Sequence, residues 1–234
     1  MNHEGIMKKQ TIIILTLLAG WLILGPYISG TTPRPGFAQP EQDPIWAPVE
    51  RIGLMPFIKG RYGAEINESL SCTVCLLLND PRDLAPDSDF ILTQYTQKAL
   101  QKRLGEKVIT LEQSEETYER IPRDDSEDSP KSLAKKLGEA LNADLIIVGN
   151  VWKYRERVGG SRAISESASV AFAIYIIEVT SGKLLWKEVF SETQRPLSEN
   201  TLRARSFFER GSKWLSANEL ASFGVTEIFQ KFPY

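Results

Sequence analysis

A chain of 234 residues, 42% hydrophobic and 25% charged, has the size and balance of a globular protein that buries one sizeable core or two small ones. Its net charge of −2 provides no global attraction for nucleic acid. Its single histidine, His3, lies in an N-terminal segment that reads as a targeting sequence, so a processed chain would lack Ser-His-Asp and Cys-His nucleophile systems, His-ligated zinc and the commonest general acid/base.

That segment opens with Lys8 and Lys9, continues through the apolar run TIIILTLLAGWLILG and breaks at Pro26 into turn residues. A basic start, an apolar middle and small residues at a cut site describe an export signal over residues 1–38, with cleavage expected after Ala38 and Gly30 as a second candidate. The alternative is an uncleaved inner-membrane tether through residues 11–28, a run that just reaches the length of a membrane span. No cysteine lies near the end of the run to take a lipid. Residues 39–47 are Pro-rich and polar and read as a linker, leaving 48–234 as one domain.

Within that domain VERIGLMPF, Val49 to Phe57, is the first expected strand, stopped by Pro56. Lys59 to Pro86 reads as loop and contains the only two cysteines, Cys72 and Cys75. A helix is expected from a Ser88 cap, with Leu92, Tyr95, Ala99, Leu100 and Leu104 on one face and Gly105 at its stop. KVITL, Lys107 to Leu111, reads as a second strand, and the acidic stretch Glu112–Ser129 as a solvated loop. Ser129, Pro130 and the Leu133/Leu137/Leu141 repeat signal a second helix ending at Asn142. Leu145–Val148 is a continuous apolar run of the kind found in a strand covered on both faces. Val158–Ser161 breaks the chain. Ala168–Val179 and KLLWKEVFSE, joined by TSGK, complete an antiparallel meander. A Ser216/Glu219 capping box starts a last helix with Leu220, Gly224, Ile228 and Phe232 on its apolar face. The order β-α-β-α-β-β-β-α predicts a two- or three-layer α/β domain on a mixed sheet, its first three strands parallel.

The Cys72/Cys75 pair is open to three readings. In an oxidising compartment a disulfide is the default, of modest stabilising value because the loop it closes is short. A redox centre needs a following helix, which CTVC-LLLNDP does not offer, and a zinc site needs more ligands. Ser132-Leu-Ala-Lys135 matches the Ser-x-x-Lys nucleophile pattern without its companion motifs, on an ordinary amphipathic helix. Neither a phosphate-binding Gly loop nor a dinucleotide turn is present, so no cofactor is expected. In LRARSFFERGSKW, Arg203, Arg205, Arg210 and Lys213 alternate with Phe207 and Phe208. In an exported chain the run reads either as a basic face with its aromatics tucked into the core or as a protein or anionic-lipid contact surface, and nucleic acid is not an expected partner. A carboxylate pair for glycoside hydrolysis has no local signature.

Three motifs in order carry a resemblance. RIGLMPF supplies an Ile-x-Leu-x-Pro-Phe strand, ADLIIVG an Ala-Asp-x-Ile-Ile-Val-Gly strand after a helix, and TSGKLLW a Thr-x-Gly-Lys-Leu-Leu-Trp turn into a strand. Together, over Arg51–Phe57 and Leu141–Val189, they resemble the cell-envelope domain shared by CsgG and LpoB, which is also similar to the N-terminal domain of TolB. The resemblance implies a non-enzymatic protein of the periplasm or envelope of a Gram-negative-type bacterium that works by binding partner proteins, with homo-oligomers among its options. It supplies no catalytic residues. The chain departs from the family in lacking a lipidation cysteine, and Val158–Ser167 is too short for a pore-forming hairpin. The rival reading is a thiol-disulfide protein using Cys72 and Cys75.

Overall fold

A computed structural model describes residues 49–62, 66–71, 83–160, 163–194 and 213–234. The expected signal and linker lie outside these residues. So do Cys72 and Cys75, and all of the expected contact surface except Lys213.

The strands are β1 (Ile52–Leu54), β2 (Ile58–Lys59), β3 (Leu145–Arg155), β4 (Val158–Gly159), β5 (Ile164–Glu166), β6 (Ser169–Glu178) and β7 (Leu184–Thr193). The helices are α1 (Ser88–Leu104), α2 (Leu111–Arg120), α3 (Pro130–Leu141) and α4 (Ala217–Gln230). One mixed sheet runs β1-β3-β6-β7, with β2 also paired to β3; β4 and β5 form a separate small hairpin. β1 and β2 lie parallel to β3, while β3, β6 and β7 form the antiparallel meander.

The sheet is the middle of three layers. Leu145, Ile147 and Val151 of β3, with Val170, Phe172, Ile174 and Ile176 of β6, pack with α1 and α4. Ile146 and Val148, with Ala173, Tyr175 and Ile177, pack with α3 and with Ile66. Alternate side chains leave a strand on opposite faces, so a strand covered twice must be apolar at every position, as Leu145–Val148 is.

The first strand is locked to β3 at both ends. Asp144 Oδ2 accepts the backbone N–H groups of Glu50 at 2.8 Å and Arg51 at 3.0 Å. Ile52, Gly53 and Leu54 then pair with Leu145, Ile146 and Ile147. At the far end the Phe57 ring lies where a side chain on Gly149 would stand: a Cβ there would be 2.2 Å from the ring. From Phe57 an aromatic line crosses the sheet through Phe172 (6.2 Å between ring centres) to Phe190 (5.5 Å). Gly224 on α4 makes room for the Phe190 ring in the same way.

Four expectations are corrected. Lys107–Leu111 is not a strand. Only Val108 bridges Ile52, and Ile109 N–H donates to the Ile52 carbonyl at 2.8 Å, because Lys107 closes a 3-10 turn and Thr110 already caps α2 by accepting from Gln113 N–H. The acidic stretch is not all loop: its first part is α2. Its inward face holds little apolar area, Leu111, Ser114 and Tyr118, which hid the helical period, and Glu116 pairs with Arg120 one turn on. β1 and β2 therefore reach β3 by one crossover, whose described residues hold three helices, rather than by two β-α units. Ser88 is also not the cap of α1. Asp87 holds that position without a side-chain bond, and Ser88 is buried.

The remaining helix signals hold, except that α4 ends at Gln230 and Phe232 packs on the core just beyond it. Ser129 and Ser132 cap α3 reciprocally, at 2.9 and 3.1 Å, and Asn142 ends it in the left-handed conformation at φ 49°. Ser132 Oγ also donates to Asp128, while Lys135 reaches Glu139, so Ser-x-x-Lys here is a cap and a surface ion pair. Ser216 and Glu219 form the expected box on α4.

Gly149→Ala should force the Phe57 ring aside and lower stability by about 1–3 kcal/mol, the usual range for overpacking. The loss would be read as a reduced urea midpoint at unchanged slope. Phe57→Leu should cost less in the Gly149→Ala background than alone.

Candidate interaction surface

At the far end of β3 the chain rejoins after the cysteine segment and both leaves for and returns from the basic-aromatic segment. A bulge between Val151 and Lys153 shifts the strand's alternation by one, leaving Trp152 half-buried. Tyr154 thereby returns to the face of Val151, and its hydroxyl donates to Asn218 Oδ1 at 2.5 Å on α4. Burial pushes the Tyr154 hydroxyl well above its ordinary pKa. Lys153 and Arg155 turn to Asp83, at 3.9 and 3.6 Å, and Ala85 N–H donates to the Tyr154 carbonyl at 3.0 Å. The residues that follow the cysteine segment are thus pinned to β3.

The residues that precede that segment are pinned elsewhere. Leu70 and Ser71 donate their N–H groups to the carbonyls of Asp128 and Asp125, both at 3.0 Å. The turn that receives them is rigid for a definite reason. Lys136 Nζ donates to both oxygens of Asp128, at 2.8 and 2.9 Å, and Asp124 N–H donates to Asp128 Oδ2 at 2.9 Å. Lys136 foremost, then the Asp124 N–H, holds the Asp128 carboxyl below its ordinary value of 3.8. Arg123 stacks on Tyr118 at 4.9 Å beside this turn.

The basic-aromatic segment is treated likewise. Gln194 ends the described part of β7's exit, and Lys213 resumes the chain. Gln194 Oε1 accepts Leu215 N–H at 2.8 Å, so the chain departs and returns at neighbouring points. Glu156 accepts Ala217 N–H at 2.9 Å, and Arg157 donates to the Trp214 carbonyl. Lys213, expected on the contact surface, is half-exposed and ion-paired to Glu219 at 2.6 Å, which holds the Glu219 carboxyl below its usual range. Cys72, Cys75, Arg203, Arg205, Phe207, Phe208 and Arg210 lie outside the described residues, so their expected roles stand as proposals.

Two large apolar side chains, missed in the sequence, stand in water at this end. Phe90, in the first turn of α1, is 59% exposed, and Val158, at the start of the β4–β5 hairpin, is 51% exposed. An exposed Phe in an otherwise regular helix start has no signature in periodicity. Among the described residues no group of three or more His, Cys, Asp or Glu could hold a metal, and no helix is long and apolar enough to cross a membrane. The geometry offers a surface, with apolar points set among basic and acidic side chains.

No family profile matches the chain, and no curated protein sequence matches it. Among solved structures it is similar to the PelC dodecamer from Paraburkholderia phytofirmans, at 12% identity over 79% of this chain and 88% of that one, TM-score 0.43. It is similar to lipoprotein GNA1162 from Neisseria meningitidis, at 12% identity over 70% and 96%, TM-score 0.40. The C-terminal domain of LpoB from Salmonella enterica matches at 12% identity over 62% and 84%, TM-score 0.36.

Acidification tests the Asp128 turn. A carboxyl whose folded value lies below its unfolded one stabilises the fold above the unfolded value, and loses that contribution as pH falls through the folded value. The denaturation midpoint should therefore drop between about pH 5 and about pH 2, and Asp128→Asn should flatten that drop. Asp124 and Glu219, also held low, should leave a residual slope.

Proposed function

We propose that this protein is an exported component of the cell envelope that acts by binding other proteins through the end of the domain at Tyr154–Arg157. One observation carries the reading: Phe90 and Val158, both exposed by more than half, flank the end at which the cysteine segment rejoins the fold and the basic-aromatic segment leaves and returns. Apolar side chains ringed by charge are the ordinary composition of a partner-binding surface. The export pattern of residues 1–38 supports placement in the envelope, and the three-motif resemblance supports a binding rather than a catalytic role. In this reading Arg203, Arg205, Phe207, Phe208, Arg210 and Lys213 extend the same surface, and Cys72 and Cys75 form a clasp that shapes its other side.

A photo-cross-linking residue placed in cells at Phe90 or Val158 should capture a defined protein partner. One placed at the exposed Glu106, beyond the other end of α1, should not. Identical capture at all three positions, or none at the first two, removes the surface.

Mass spectrometry of the native chain should find the mature N-terminus at Gln39 and a mass two hydrogens below that of the dithiol. An intact N-terminus with free thiols would instead favour a tethered protein in a reducing setting.

A further inference from the structure

Strand β7 closes the sheet on one side, and among the described residues no strand pairs with its outer edge. It is ten residues long, carries no proline and leaves a row of backbone hydrogen-bonding groups facing outward. Its alternation is clear. Trp186, Glu188 and Phe190 face the layer of α4. Lys187, Val189, Ser191 and Thr193 face the other way and are exposed, beside the buried Ala171, Ala173 and Tyr175 of β6. Val189 is 44% exposed. Val189 pairs with Ala173, which pairs with Asn150, so the middle of this edge lies five residues short of the end of β3, and only Thr193 is level with Arg155.

We infer that β7 is the contact of a two-fold dimer, pairing antiparallel with β7 of a second copy about an axis through Val189. Charge rules out parallel pairing and several registers, and the exposed Val189 selects among the rest. Lys187 and Glu188, the latter also paired with Lys231, lie before Val189, with Lys183 just ahead of the strand, and Glu192 lies after it. Antiparallel self-pairing brings Glu192 alongside the Lys187 part of the second copy, whereas in-register parallel pairing stacks Lys187, Glu188 and Glu192 each on its own copy. A two-fold axis normal to the sheet keeps every side chain on its own face, so the axis passes through a residue rather than between residues. Centring on Lys187 or Glu188 lays each against its own copy. Centring on Phe190 sets Glu188 against Glu192 of the second copy. Centring on Val189 sets Lys187 against Ser191 and Glu188 against Phe190, with no like charges opposed, and buries the exposed Val189 pair at the middle. A two-fold contact also closes on itself, so it covers both open edges without propagating.

Cysteine cross-linking of the full chain in cells tests both partner and register, with the unsubstituted chain as the control for Cys72 and Cys75. Val189→Cys should give a covalent dimer under mild oxidation, at least fivefold above that control. Ser191→Cys alone should not exceed the control. Lys187→Cys and Ser191→Cys chains carrying different tags should cross-link to each other when co-expressed. Val189→Lys, which leaves the packed face of the strand untouched, should abolish the dimer seen by chemical cross-linking. No enrichment at Val189→Cys, equal cross-linking at Ser191→Cys, or cross-linking only to a different protein would each overturn the inference.

Discussion

The parallel docking of β1 on β3 is the constraint on which the rest of the molecule depends. Three residues of strand cannot hold a register by backbone bonds alone, and a slip by one residue would exchange the two faces of the sheet. The chain meets this with a clamp at each end: the Asp144 carboxylate takes the N–H groups that lead into β1, and the Phe57 ring occupies the place vacated at Gly149. These contacts also explain the pairing of the Ile-x-Leu-x-Pro-Phe and Ala-Asp-x-Ile-Ile-Val-Gly patterns. The Asp and the Gly of one are the receptors for the start and end of the other. With β1 and β2 in place, the chain from Gly60 to Asp144 is a crossover, and its described helices distribute over both faces.

How much of this was legible in the sequence follows from where side chains go. β3, β6, α3 and α4 were readable because each satisfies a local rule: unbroken apolar runs between two layers, or a four-residue leucine repeat behind a serine cap. α2 was hidden because it packs only its edge on the core, through Leu111, Ser114 and Tyr118, and the acidic residues around these outweigh them. Lys107–Leu111 misled in the opposite sense. Val108 and Ile109 are buried against Ile52 as a strand would be, yet the Thr110 cap two residues later leaves no length for a ladder. The bulge at Trp152 had no local sign at all, since it serves a tyrosine two positions on and a helix more than sixty residues away.

The candidate surface was legible only in its outlying parts. The cysteine and basic-aromatic segments were conspicuous by composition, but nothing in either indicated that the exit of the first and both flanks of the second converge on the last residues of β3. That convergence is made by long-range polar contacts from Asp83, Gln194, Glu156 and Arg157, each unremarkable as a residue type in its place. Phe90 and Val158 gain meaning only once their neighbours are seen to leave them in water. The sheet's two sides are thereby different in kind: segment ends meet at one, and at the other β7 is regular and, among the described residues, pairs with no further strand.

The bond between Gln194 and Leu215 has a consequence for how such a protein can change over generations. Departure and return are held together by groups outside 195–212, so this contact does not itself set the length of chain between them. Lengthening a closed loop costs only about 0.6 kcal/mol per doubling. Length can thus change on one side of this bond while the two residues that make it keep their places.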